Sequence, residues 1–79
     1  MSNTKNPRYD VVGFAEIHQA GSFTKRTVRI TEPASTKEEA NLLYDIMIED
    51  ESMVIGVTVV DRSNGAVVRN SHDVNEQPL

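Results

Sequence analysis

From Tyr9 to His18 the chain alternates. Tyr9, Val11, Gly13, Ala15 and Ile17 share one face of a strand, and Asp10, Val12, Phe14, Glu16 and His18 share the other. Phe23 to Thr31, rich in threonine, valine and isoleucine, predicts the return strand. Between them Gln19-Ala20-Gly21-Ser22 is a turn in which the glycine supplies a positive φ. A two-residue Ala20-Gly21 loop sets Gln19 against Ser22, Ile17 against Thr24, Gly13 against Val28 and Val11 against Ile30. The same register puts Phe14 opposite Thr27 and Glu16 opposite Lys25, a favourable cross-strand pair. Glu32-Pro33-Ala34-Ser35 is expected to end the strand, because proline brings no N–H to a ladder and disfavours helix before it.

The period then changes. Thr36-Lys37-Glu38-Glu39 reads as a capping box, with Ser35 and Glu38 as a rival pair one residue earlier. From Thr36 to Glu49, Ala40, Leu43, Tyr44 and Met47 recur at helical spacing, and Leu42, Ile46 and Ile48 are expected to widen that apolar stripe. Glu38, Asn41, Asp45 and Glu49 take the opposite face. The acids of Glu49-Asp50-Glu51-Ser52 crowd a helix C-terminus, where the macrodipole favours cations, so the helix should end near Glu49. Met53 to Asp61 is a strongly apolar strand, and Ala66 to Asn70 is its partner. The turn between them favours a three-residue Ser63-Asn64-Gly65 loop with Gly65 left-handed, or else a two-residue Asn64-Gly65 turn. Residues 1–8 and 71–79 are polar and are expected to be flexible ends.

The order strand–strand–helix–strand–strand predicts an α+β two-layer sandwich. A four-stranded, mainly antiparallel sheet would carry one helix on one face, as a single domain over residues 9–70. The helix-side face should hold Val11, Ile17, Val28, Ile30, Met53, Ile55, Val57, Val59 and Val67. The other face should be open to water. It nevertheless collects Val12, Phe14, Val54, Val60 and Val68, with Phe23 nearby and Glu16, His18, Lys25 and Arg29 around them. An apolar patch with a polar rim marks an interaction face; isolated surface valines are the plainer alternative.

Composition narrows the chemistry. The 79 residues contain no cysteine and two histidines, which excludes disulfides and thiolate metal sites and leaves too few ligands for a structural zinc without carboxylate help. No metal or cofactor is expected. A net charge of −4 argues against a nucleic-acid footprint, which is usually basic. No apolar run reaches the roughly 18 residues of a membrane span. The polar stretch after Met1 lacks the apolar core of a signal peptide, so a cytoplasmic protein away from membranes is expected. A folded part of about 60 residues has a small core, which leaves room for oligomerisation to add stability.

Glu16 and His18, two apart on a strand, share a face and could form an acid–base unit or an ordinary surface pair. No phosphate-cradling glycine loop or cysteine nucleophile accompanies them, so enzymatic activity is not expected. Lys25, Arg26 and Arg29 with Phe14 and Phe23 could make a base-stacking platform over a basic rim. The acids on the helix, Glu38, Asp45 and Glu49, form either a solvated face or a docking stripe for arginine and lysine.

A capped acidic helix, Thr36-Lys37-Glu38-Glu39-Ala40, lies between two hairpins, and the second is closed by Asp61-Arg62-Ser63-Asn64-Gly65. In that architecture the chain resembles small phage- or plasmid-encoded inhibitor proteins, anti-CRISPR proteins among them. The resemblance implies a stoichiometric binder that blocks a larger host complex, and it assigns no individual residues. The expectation is therefore a non-enzymatic protein-interaction module. It would bind a protein partner through the open sheet face (Val12, Phe14, Phe23, Lys25, Arg29) or through the acidic helix (Glu38, Asp45, Glu49). The alternatives are a homodimeric scaffold whose open faces pack together and a weak single-stranded nucleic-acid binder.

Overall fold

The two most strongly apolar strands lie side by side at the centre of the sheet. The structure, a computed structural model, describes residues 6–18, 20–21, 24–50 and 55–79. Its elements are β1 (Tyr9–His18), β2 (Lys25–Ala34), α1 (Lys37–Glu49), β3 (Gly56–Asp61) and β4 (Ala66–Asn70). The sheet order is β2-β1-β3-β4 with every neighbouring pair antiparallel, so the expected α+β class and ββαββ order are both present. Tyr9 and Val11 of β1 and Val57 and Val59 of β3 are the largest fully buried side chains. Burying each valine stabilises the fold by about 1.5–3 kcal/mol. Met53 and Val54, expected in the third strand, and Gln19, Ser22 and Phe23 lie outside the described residues, as do residues 1–5 of the expected flexible lead-in.

The first hairpin keeps its faces but not its register. Ile17 stands opposite Arg26, Gly13 opposite Ile30 and Val11 opposite Glu32. The return strand is thus displaced by two residues from the two-residue-loop expectation. Because side chains alternate with a period of two, a shift of two leaves each residue on its face. Glu16 now opposes Thr27 and Phe14 opposes Arg29. Glu16 still reaches Lys25 diagonally, at 3.4 Å. β2 also runs through Pro33 to Ala34 instead of ending before it. It can do so because it is an edge strand, where a missing N–H need not break a ladder.

The second hairpin contains the main correction. Val60 pairs with Val67 but Val59 pairs with Arg69, so Val68 is an extra residue in a bulge. Val68 packs against the core and Val67 is 58% exposed, the reverse of the expected assignment. The connecting turn spans four residues, Arg62 to Gly65, with Gly65 left-handed at φ 71° as expected. The Asp61 carboxylate accepts bonds from Ser63 N (2.9 Å) and Ser63 Oγ (2.7 Å), and Asn64 Oδ1 accepts one from Ala66 N (2.9 Å).

α1 starts where its cap predicts. Thr36 Oγ1 accepts a bond from Glu39 N at 3.1 Å, and the Asp50 amide closes the other end on Met47 O. Ala40, Tyr44 and Met47 are buried and Leu43 packs beside them, against a cluster with Tyr9, Val11, Ala34, Val57 and Val59. Leu42, Ile46 and Ile48 do not widen this stripe. They are exposed, because the buried arc of α1 is only as wide as the strands beneath it can cover.

Residues 71–79 are tied to the body, contrary to the loose tail expected from their polarity. Ser71 exchanges bonds with Val57: its amide donates to Val57 O, and its Oγ accepts from Val57 N, both at 2.9 Å. His72 then reaches Ile55 O through Nε2, and Leu79 packs on the core. This segment runs against Gly56, whose φ is +144°. A Cβ there would lie 2.5 Å from His72 Nε2 and 2.9 Å from Ser71 Oγ.

Two expected outcomes follow from these contacts. Gly56→Ala combines a backbone conformation closed to other residues with that clash. It should lower stability by about 1–3 kcal/mol in urea unfolding, whereas an unchanged midpoint would mean the conformation carries no strain for alanine. The second concerns Asp61, whose carboxyl is held below the usual range chiefly by the bonds from Ser63, with help from Arg8 at 3.5 Å. A lowered folded pKa adds stability that is present above the ordinary carboxylate value, about 3.9, and is lost as pH falls through the lowered one. Asp61→Asn should therefore lower the urea midpoint at pH 7, and the gap to wild type should narrow as pH drops below about 4. Parallel curves would contradict that linkage.

Candidate interaction surfaces

Three surfaces are available, and the strand faces and helix arc decide what each carries. On the open face of the sheet, Val12 and Phe14 of β1 and Val60 of β3 are half-buried, and Val67 of β4 extends them toward the edge. Val12 lies between Thr31 and Thr58, and Phe14 between Arg29 and Gly56. Gly56 brings no side chain of its own to this pairing, and the Ser71 and His72 side chains lie against it instead. Lys25 and Arg29 stand exposed on β2 at the rim of this face, so the structure brings together four of the five residues expected there. Phe23, the fifth, is outside the described residues. Arg26 is on the other face, opposite Ile17, so the three cations of β2 do not form one basic platform.

At the far end of this face, Glu16 Oε1 lies 3.7 Å from His18 Nε2 and 3.4 Å from Lys25 Nζ. The histidine and the lysine are exposed, so Glu16 and Lys25 form a solvated ion pair with the imidazole beside it. At the near end, Asp10 and Arg62 pair at 2.9 Å between β1 and the second turn.

The second surface is the outer face of α1. Glu38, Asp45 and Glu49 are all exposed there, as the helical spacing requires. They are not alone. Leu42 and Ile46, four residues apart, lie beside these acids and are 59% and 55% exposed, and Ile48, on the other flank of the helix, is 47% exposed. Beside Ile46 the helix and β2 enclose a groove of about 370 Å³ lined by Ile30, Leu43, Ile46 and Met47, with Glu32 and Asp50 at its polar margin. On this side Ile30 and Ile17 are also exposed, although both were expected under the helix. α1 packs over β1, β2 and β3, and among the described residues β3 pairs with β1 from Tyr9 to Phe14, while Ile17 and Ile30 farther along the first hairpin stay exposed.

Comparisons with protein-family models, curated proteins and solved structures found no match. The surfaces must be interpreted from their own chemistry.

The third surface surrounds Arg69. The bulge at Val68 turns Arg69 to the helix side, where its side chain is 8% exposed. Its guanidinium carbon sits 3.6 Å over the Tyr44 ring, a stacked cation–π contact. Nε donates to Glu76 Oε1, and Nη1 lies 3.2 Å from Asn41 Oδ1 and 3.7 Å from Asp45 Oδ1. Asn41 Oδ1 also accepts the Leu79 amide at 3.1 Å, and its amide group donates to Leu79 O at 3.4 Å. Burial pushes the Tyr44 hydroxyl pKa up, the Glu76 charge pushes it further, and Arg69 opposes both. Asp45 is therefore partly engaged inside the molecule, unlike Glu38 and Glu49, for which no internal ion pair occurs among the described residues. A polar groove of about 300 Å³ lies beside this network, between β4 and the C-terminal segment, with Asp73 and Glu76 on its wall.

Among the described residues no three histidine, cysteine, aspartate or glutamate side chains gather as a metal site, and no helix is long and apolar enough to cross a membrane. Sequence reasoning missed the exposed Leu42–Ile46 pair. The signal was available in the spacing: both residues fall four apart on the arc of Glu38 and Glu49, away from Ala40, Tyr44 and Met47.

Proposed function

We propose that the chain is a non-enzymatic protein-interaction module. Its docking surface is the outer face of α1 with the adjoining groove along β2, and its partner presents a basic, amphipathic segment. The observation that carries this reading is the exposure of Leu42 and Ile46 beside Glu38 and Glu49, with Glu32 and Asp50 at the margin of the adjoining groove. Apolar centres supply affinity and charged rims supply partner choice and association rate. The likeness to small phage- or plasmid-encoded inhibitors supports a stoichiometric mode of action, in which the module occupies a surface on a larger host complex. A second reading keeps the open sheet face, with Phe14 and Val12 at its centre, and is favoured by the 58% exposure of Val67 on that same face.

The two readings separate in one titration. Amide chemical shifts are followed while a designed helical peptide with one leucine face and one lysine face is added, and a glutamate version serves as control. The helix reading expects shifts at Leu42, Ile46, Glu38 and Glu49 with the basic peptide only, weakening with salt. Reversing Glu38 and Glu49 to lysine should cut affinity roughly tenfold at low ionic strength. Shifts centred on Val12, Phe14 and Arg29 would transfer the site to the sheet, and equal binding of the acidic peptide would overturn the charge argument.

A further inference from the structure

β2 is an edge of the sheet, and among the described residues one side of its backbone faces no other strand over its ten residues. Such edges accept another strand unless something blunts them. The side chains of β2 are patterned to accept one strand in particular. On the helix side they read Arg26, Val28, Ile30, Glu32, a cation at one end, an anion at the other and two aliphatics between. That order is its own antiparallel complement. Arg26 and Glu32 are both exposed, and neither makes an ion pair within the chain among the described residues.

We propose that β2 is the seam of a homodimer, pairing antiparallel with β2 of a second copy about a two-fold axis at Arg29. In this register Arg26 of each copy faces Glu32 of the other, and Val28 of each faces Ile30 of the other. Opposite charges and aliphatic pairs directly across a ladder both stabilise it. The two sheets become one continuous sheet with both helices on the same side. Moving the register by two residues sets Arg26 against Ile30 or Ala34 and forfeits both ion pairs, so the charges select this alignment. On the open face the two Arg29 side chains meet at the axis. This like-charged contact opposes two attractive ones, and long arginine stems can lean away from each other into water.

The seam lies beside apolar surface that a single chain leaves in water. Ile30 and Ile46 edge the groove beside β2, and each is exposed on one chain alone. Two grooves would lie on either side of the axis. The seam shares Glu32 and the groove beside β2 with the partner-docking reading, whereas Leu42, Glu38 and Glu49 project from the outer face of α1 and lie outside it. It also differs from packing of the open sheet faces, which would bury Phe14 and leave β2 as an edge.

The test is solution mass by light scattering behind a sizing column, at two protein concentrations. Wild type should shift toward a two-chain mass as concentration rises. Arg26→Glu alone and Glu32→Arg alone should each raise the dissociation constant at least about tenfold, because each places like charges together twice. An equimolar mixture of the two variants should form a two-chain species, since both contacts between positions 26 and 32 are then opposite in sign. The double variant R26E/E32R should self-associate as wild type does. Recovery in the mixture also shows that both variants fold. A wild type that stays single-chain at both concentrations overturns the proposal, as does a dimer indifferent to these reversals or one lost on Phe14→Ala instead.

Discussion

One arginine holds the layers of this small protein together. A 13-residue helix that buries only Ala40, Tyr44 and Met47 has little apolar area with which to hold its place on a sheet. The Arg69 guanidinium adds a second attachment, because it lies on the Tyr44 ring and bonds to Glu76 and Asn41 at once. Asn41 in turn holds both backbone groups of Leu79. Helix, edge strand and C-terminal segment therefore meet at one charged group that is almost wholly covered. A planar guanidinium suits the position, since it can stack on one face while donating in its plane. Its arrival on the helix side depends on a single extra residue, Val68, that rotates the end of β4 by one face.

What could be read from the chain follows from which interactions are local. The cap at Thr36 involves a residue three positions away, and it stands where the sequence places it. The faces of β1 and β2 also hold, since a register change of two residues preserves them even though it changes every partner. The bulge was not legible. Val67 and Val68 are the same residue type, and only the strand opposite decides which of them faces the core. The attachment of residues 71–79 was hidden for a related reason. Their bonds run to Val57, Ile55 and Asn41, 14 to 38 residues away, and to Arg69, whose orientation the bulge sets, while their own composition reads as polar and loose.

The surfaces divide in the same way. Helical spacing placed Glu38, Asp45 and Glu49 on the outer arc, and they are there. That arc also carries Leu42 and Ile46, because a helix lying across three narrow strands covers a limited sector, and apolar residues beyond it remain in water. The result is an acidic surface with an apolar centre, next to a groove and an unpaired strand edge. The open side of the sheet is less exposed than its composition suggests, since Val12, Phe14 and Val60 are all half-buried.

The central claim is that Arg69 fastens the C-terminal segment and the helix to the sheet. Amide hydrogen exchange of wild type and Arg69→Met tests it directly. The account predicts protected amides at Ser71, Glu76 and Leu79 in wild type, whose acceptors are Val57 O, Asp73 O and Asn41 Oδ1. In the variant, protection should be lost at Glu76 and Leu79 and reduced through the helix around Tyr44, while the β1–β3 ladder stays protected. Fast exchange at Glu76 and Leu79 in wild type, or a variant with unchanged protection there, would contradict it.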